Sequence, residues 1–443
     1  AKSPHQIEVV CKEKDWRNFI AFSGLRVLPA HEISSIKGKD YLEKYNFAYT
    51  ATSGPYIVHK EDIKENESLT ITRRKDYWGE NEAENQGLNN FDKIRFVVIR
   101  DDRLAFEKAC KGELDFYVVY TAKWWVEDVD KLEAVEKGHL IRQKVYTKYP
   151  NGFQGEAFNM RHPPLDDIRV RKALAHLFDR KTMVEKFAYN EYELLKSYFP
   201  GSDAENPDNK MVEFDPREAA KLLQEAGWSK RGSDGILTKD GKRLSVTLSY
   251  STQGLEKYFT SWKESLKQAG VELNLSLLTH ETQWSNTQER KFEVVAQAWG
   301  AVLFPYPRTM WHSKMAAENG SNNIAGFKNE EVDKLIAQYD EEFDLAKRTE
   351  ILKKIDGLIY NEHPYSMAWG LPCERVLYWN KFGKPKTVFR KYEDWRGAFA
   401  TWWADPEKDR QLKQARKSGA KIEPIPAVEL RPWDNEKSET AQR

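Results

Sequence analysis

Polar and apolar positions alternate through ESLTITRRKDYW, residues 67–78, the period of a half-buried strand. Ser53, Gly54 and Pro55 supply a turn before it, and the following YIV starts another short strand. Residues 91–99 (FDKIRFVVI) predict a further strand, and DFYVVY one more. Between these two, Leu104, Phe106, Ala109 and Cys110 fall on one helical stripe that Gly112 closes. Strand, helix and strand in that order predict an α/β lobe.

The pattern changes at Asp166. Ile168, Val170, Ala173, Leu174, Leu177 and Phe178 share one helical face. Asp215-Pro216-Arg217-Glu218 is a helix start, with Asp as cap, Pro at the first helical position and Glu able to reach back; that helix stops at Gly227. RLSVTLSY is a strand, GLEKYFTSWKESLKQAG an amphipathic helix ending in Gly270, and VELNLSLL a strand, so a second α/β lobe follows. Residues 330–363 read as two helices with charged outer faces. After Pro385 the pattern becomes irregular, and residues 405–443 read as a poorly ordered charged tail or a wrapping strap.

Composition narrows the partners. Lys and Arg number 70 against 69 Asp and Glu, a net charge of +1, which gives no global attraction to nucleic acid or an acidic membrane. Mean hydropathy is −0.75 and no uncharged stretch is long enough to cross a bilayer. The three cysteines, Cys11, Cys110 and Cys373, are far apart and show no zinc or disulfide spacing; Cys110 is expected to be a buried thiol. Catalytic motifs are missing from the text: no HExxH, GxSxG or GxxxxGK[ST] occurs. His312 and His363 stand alone, and Asp166 and Asp167 read as helix caps. No metal or cofactor is expected.

The stretch VVAQAWGAVLFPYPRTMWHS, residues 294–313, carries Trp299, Phe304, Tyr306 and Trp311 around Pro305 and Pro307. Its first half reads as a core strand and its second as an aromatic-rich loop. Such side chains suit a core or the wall of a ligand cleft. For Trp299 the reading leans to the cleft, for Trp311 to the core; Phe304 and Tyr306 divide evenly.

A set of ordered phrases adds to this: Ser53-Gly54-Pro55-Tyr56, Lys75-Asp76-Tyr77-Trp78, Gly112-Glu113-Leu114-Asp115, and Phe158-Asn159 followed by PPLDDIRVRKALAHLFDR as far as Asp179-Arg180. In order and spacing they resemble the extracellular solute-binding proteins of family 5, the peptide/nickel class of ABC importers. The phrases YNEYELLKSYFPGSD and WHSKMAAENGSNNIAGF, with VLYWNKFGKP and TWWADPEK, resemble the oligopeptide and microcin C branch. The resemblance implies a two-lobed α/β periplasmic binding protein fold (type II, the large three-subdomain class) with lobe one incomplete at its N-terminus and no signal peptide present. It divides the chain into 1–47, the end of the extra subdomain of lobe one; 48–157, lobe one; 158–369, lobe two; 370–405, a return to lobe one; and 406–443, a charged tail.

By the same resemblance the protein is a monomer, periplasmic or extracellular, with or without a membrane tether and without a membrane span. Its partners are a peptide or peptide-like ligand, captured between lobes by domain closure, an ABC permease and its ATPase subunit; nucleic acid is not among them. The hinge is expected at Glu156, Asn159, Ala368 and Pro372. Ligand contacts are expected from Trp299, Phe304, Tyr306, Arg308, Asn159, Asn322 and Asn323. Arg308 offers a bidentate fork to a carboxylate or phosphate, or else a surface ion pair; Asn322 and Asn323 offer amides, or close a turn. Peptide binders of the family often keep an Asp a few residues after the Trp, paired with the peptide ammonium. Here the text reads Trp299-Gly300-Ala301-Val302-Leu303-Phe304, with no acid. A hydrolase acting on peptides or glycans, and a ligand-sensing module for a membrane receptor, are the alternative readings.

Overall fold

A computed structural model of the protein describes residue 3 and residues 5–45 and 49–434. The chain divides into two compact units, Ala1–Ser23 with Pro150–Pro372, and Gly24–Tyr149 with Cys373–Arg443. The expected 47/48 boundary and residues 435–443 of the expected tail lie outside the described residues.

The first unit is built on a five-stranded sheet. Its strands are β1 (Phe153–Phe158), β2 (Ser245–Tyr250), β3 (Glu272–Leu277), β4 (Val294–Trp299) and β5 (Tyr365–Met367), in the order β3-β2-β4-β1-β5. β2 runs parallel to β3 and β4, and β1 runs antiparallel to β4 and β5. Its longer helices are α1 (Ile168–His176), α2 (Arg180–Ala188), α3 (Pro216–Glu225), α4 (Glu256–Ala269), α5 (His280–Gln288), α6 (Glu330–Glu341) and α7 (Leu345–Glu362).

Side chains alternate across a strand, and the sheet uses both faces. Phe158 and Val294 enter one core with Leu174, Leu248, Trp262 and Leu273. Their neighbours Ala157 and Val295 enter a second core with Trp311, Phe327, Ile336 and Ile355. The first core is covered by α1 to α4 and the second by α6 and α7. Trp262 is fully buried and its indole donates to the Leu174 carbonyl at 3.2 Å, so burial of the large ring, worth about 3 kcal/mol, leaves no polar atom unmatched. Gly155 has a steric reason: a Cβ there would stand 2.3 Å from the Ser366 carbonyl oxygen of β5.

The apolar face from Ile168 to Phe178 lies on α1 and the turn that follows it, and a second helix begins directly after. Asp167 caps α1 by accepting from the Arg169 amide, and Asp179 caps α2 by accepting from the Thr182 amide. Asp is a strong cap, so the second acid starts a new helix where the apolar period alone would continue the first.

In the second unit a four-stranded sheet orders Glu429–Leu430, Leu140–Val145, Glu374–Trp379 and Phe116–Val118. A separate antiparallel sheet joins Tyr56–Ile57, Ile63–Lys64, Ser68–Arg73 and Lys93–Val97. The helix Asp102–Lys111 begins at a capping Asp101 and closes at Gly112 with φ 87°. Cys110 on it is half-buried, its thiol pushed up to about 11 by burial. All three cysteines are free thiols.

Residues 406–434 carry regular elements, where the sequence pattern predicts a poorly ordered tail or a wrapping strap. Pro406–Ser418 is a helix, and Glu429–Leu430 pairs in parallel with Leu140–Val145. Asp405 accepts from the Glu407 and Lys408 amides, the same Asp-Pro start found at Asp215-Pro216, and Leu412 packs in a core with Phe106 and Trp125. The heavy surface charge masks a stripe of only two buried residues, Leu412 and Ala415. Asp405→Ala should lower stability by about 1 kcal/mol, read as a lower urea midpoint at an unchanged slope; an unchanged midpoint would deny the cap its role.

Candidate functional site

The chain leaves β2 through α4 to reach β3 on one side, then returns through α5 to β4 on the other side of β2. The connections therefore diverge at the C-terminal end of β2, the switch point at which open parallel sheets form a ligand crevice. A cavity of about 380 Å³ lies there, a size that suits a small ligand or one end of a larger one. Ser251 and Thr252 line it just beyond β2, His280, Gln283 and Trp284 from α5, Ala296 and Ala298 from β4, and Gln154 and Glu156 from β1. Trp369 and Phe259 supply further apolar wall.

The polar lining is partly self-satisfied. Gln154 donates to the Trp369 carbonyl at 2.7 Å, and Ser251 Oγ lies 2.8 Å from His280 Nδ1. Gln283 Nε2 donates to the Ala296 carbonyl at 2.7 Å, which leaves its Oε1 buried and without a partner. Glu156 is 3% exposed and its Oε2 is also buried and unpartnered. Burial pushes the Glu156 carboxyl up to about 8; its own backbone amide and the Arg180 charge offset only part of that. Arg180 does not close on Glu156. Its guanidinium donates to the carbonyls of Leu195, Met367 and Val212 and to Met211 Sδ. Among the described residues, Glu156 and His280 are the acid and base that line the cavity, no carboxylate is bonded to the imidazole of His280, and no group of three or more metal-ligating side chains forms.

None of the residues expected to touch ligand lines this cavity. Trp299 packs against the core on the other face of the sheet and donates to Tyr365 Oη at 2.9 Å. Phe304, Tyr306 and Arg308 are brought together elsewhere, around the N-terminal segment. Phe304 meets Trp16 edge-on at 5.9 Å, Tyr306 lies 3.9 Å from the Arg17 guanidinium, and Arg308 is paired with Asp340. Of the two alternatives for Arg308, the ion pair is the one present. Asn159 is buried, donating to the Phe292 carbonyl at 2.9 Å and accepting from Arg161. Asn323 is buried and closes a loop with the Phe327 amide and carbonyl; Asn322, half-buried, accepts the Ile324 amide through its carbonyl. Trp311 is a core residue.

Of the expected hinge residues, Glu156 and Ala368 line the cavity. The chain passes from unit to unit at Ser23/Gly24, Tyr149/Pro150 and Pro372/Cys373. Pro372 therefore stands at a crossing, while Glu156, Asn159 and Ala368 lie inside the first unit, Glu156 within the sheet. The pattern reading had no role for His280, Gln283 and Trp284, because α5 is polar nearly all round. Glu156 did carry a signal: an acid in the middle of a strand whose neighbours are buried.

The family model described as bacterial extracellular solute-binding proteins, family 5 Middle, matches residues 1–322 of the 443. The chain belongs to solute-binding family 5. Members of this family are binding proteins, not enzymes. The family 5 chain is 27% identical over 321 residues to the "Probable peptide-binding protein YejA" of Agrobacterium fabrum, covering 64% of this chain and 52% of that one. It is 24% identical to the "Oligopeptide-binding protein AppA" of Bacillus subtilis over 83% of this chain and 66% of that one. The chain thus spans about half to two thirds of the length of the curated relatives it matches. The solved AppA of Bacillus subtilis, in complex with a nonapeptide, superposes with a TM-score of 0.72 at 21% identity, over 89% of this chain and 75% of that one. NikZ of Campylobacter jejuni, in complex with Ni(L-His), gives 0.69 at 18% over 85% and 72%. These similarities show that the α/β architecture is the family 5 fold. No helix among the described residues is long and apolar enough to cross a membrane.

Proposed function

We propose that this family 5 protein is the substrate-binding component of an ABC importer, working in the periplasm or outside the cell. It captures a peptide or peptide-like solute and presents it to a membrane permease driven by a separate ATPase subunit. The reading is carried by the family match across residues 1–322. It is supported by the cavity at the C-terminal end of β2, whose Trp284, Trp369 and Phe259 offer apolar walls and whose Gln154, Ser251 and Gln283 offer polar contacts. Relatives named for peptide binding make peptides the first class to try. The protein breaks no bond in this role. It holds a ligand in a preformed site and releases it unchanged.

The test is a pool of tri- to pentapeptides offered to the chain and read by native mass spectrometry. Retention of unaltered peptide is expected, with a change in tryptophan fluorescence, since Trp284 and Trp369 line the cavity. Trp284→Ala should weaken that binding about tenfold, the typical effect of losing an aromatic anchor. Accumulating cleavage products, or no capture at all, would overturn the proposal.

A further inference from the structure

We infer that the inner end of the cavity is a receptor for a cationic nitrogen group, an aliphatic ammonium or a guanidinium, held between the Glu156 carboxylate and the Gln283 amide oxygen. This rests on the proposed binding role and gives that role a chemical preference.

The two acceptors belong to side chains that both neighbour Ala296. Glu156 stands directly across from Ala296 in the β1–β4 pairing, and Gln283 is bonded to the Ala296 carbonyl. Each leaves one oxygen buried and without a donor, Glu156 Oε2 and Gln283 Oε1. Buried acceptors of this kind are rare because each forfeits its hydration for nothing. A ligand that brings two or three N–H donors on one charged nitrogen satisfies both at once, through charge-assisted bonds.

The surroundings favour a cation over an anion. No lysine or arginine lines the cavity. The cation whose charge acts on Glu156, Arg180 of α2, has its Nη1 and Nη2 groups bonded to carbonyls and a thioether. The strands on either side of Glu156 contribute Ala296 and Ser366 opposite it, without charge, and α5 contributes His280. Phe259, Trp284 and Ala298 wall the remaining space, so methylenes behind the charged head find apolar contact while the head meets the acid. The opposite faces of the same ligand then need no further charge.

A peptide can bring such a nitrogen on a side chain or at its N-terminus, and four probes separate the two. Calorimetry on the full chain would use Ala-Lys-Ala, N-acetyl-Ala-Lys-Ala, Ala-norleucine-Ala and N-acetyl-Ala-norleucine-Ala. If the side chain docks, both lysine peptides bind at least about 30-fold tighter than their norleucine counterparts; if the terminus docks, acetylation causes that loss instead. Either result supports the inference. Glu156→Gln should abolish the discrimination, and Gln283→Met should reduce it about tenfold. In the unaltered protein the affinity for a charged probe should rise about tenfold from pH 6.5 to 7.5, because the carboxyl must ionise to bind. Arg180 stays charged over that range, and His280→Asn should keep the slope while Glu156→Gln flattens it. Equal affinity for all four probes overturns the cation receptor and leaves the peptide-binding role standing. So does failure of both lysine peptides while the pool still yields neutral binders. Capture of no peptide whatever rejects both.

Discussion

Replacing Glu156 by Gln will stabilise the protein by a margin that grows with pH, reaching about 5 kcal/mol by about pH 9. The folded carboxyl titrates at about 8 against an ordinary 4.5, because burial disfavours its charged form. Between those values the folded protein holds a proton that the unfolded chain has lost. Its stability therefore falls as pH rises from about 4.5, by at most about 1.4 kcal/mol per pH unit over about 3.5 units. The Gln side chain has no proton to lose and escapes that slope. Asp356, raised to about 6 by burial, tilts both proteins alike and cancels in the difference. Urea unfolding of the two at about pH 4, 7 and 9 should give curves that meet in acid and separate in alkali. A constant gap at all three would mean that the carboxylate is solvated in the fold.

The second large effect is expected at Asp340→Ala. The Asp340 carboxylate, 7% exposed, accepts from Arg17 at 2.6 Å and from Arg308 Nε at 2.9 Å, while its backbone carbonyl accepts the Trp16 amide at 3.1 Å. Trp16 itself is buried, with the Arg348 guanidinium 3.9 Å from its ring and Tyr339 edge-on at 5.6 Å. One carboxylate thus neutralises two guanidiniums, tying both the N-terminal segment (Arg17) and the turn at Arg308 to α6. Removing one partner of a buried pair costs about 3–5 kcal/mol. Arg17 keeps Asp15 at 2.6 Å and Arg308 is about a third exposed, so about 2–3 kcal/mol is expected here. Trypsin should then cut after Arg17 at least tenfold faster, by about the same free energy. Cleavage at the native rate would show that Trp16 alone holds the segment.

Much of the first unit was legible because its signals are local. Asp215-Pro216 capped a helix, Gly270 closed one, and the alternation in SVTLSY put Val246 and Leu248 inward. The family phrases led to the fold for the same reason. The candidate site was much less legible. Trp299 was singled out because aromatics mark clefts and cores alike, and only the register of β4, with Val295 and Trp299 on one face and Ala296 and Ala298 toward the cavity, decides between them. Arg308 and Asp340 are 32 residues apart, and no local pattern announces their pairing. Glu156 comes from β1, and Gln283 and His280 from α5 more than 120 residues later, so their meeting is a property of topology. The helix after Asp405 was missed although its start repeats Asp215-Pro216, because two buried positions in thirteen make too narrow a stripe to stand out against its charges.

The interleaving of the two units has a consequence for synthesis. β1 sits between β4 and β5, so Ala157 must wait for Val295 and Tyr365 before its hydrogen bonds are complete. The second unit waits longer still, since Leu140–Val145 lies between Glu374–Trp379 and Glu429–Leu430. At a ribosomal pace of about 5–20 residues per second, the interval from Ala157 to Tyr365 is on the order of 10–40 seconds. For that time β1 lacks its last partner, while the antiparallel sheet of residues 56–97 already has all its strands. The order of strands alone therefore delays the closing of the first unit's sheet until its last strand is made.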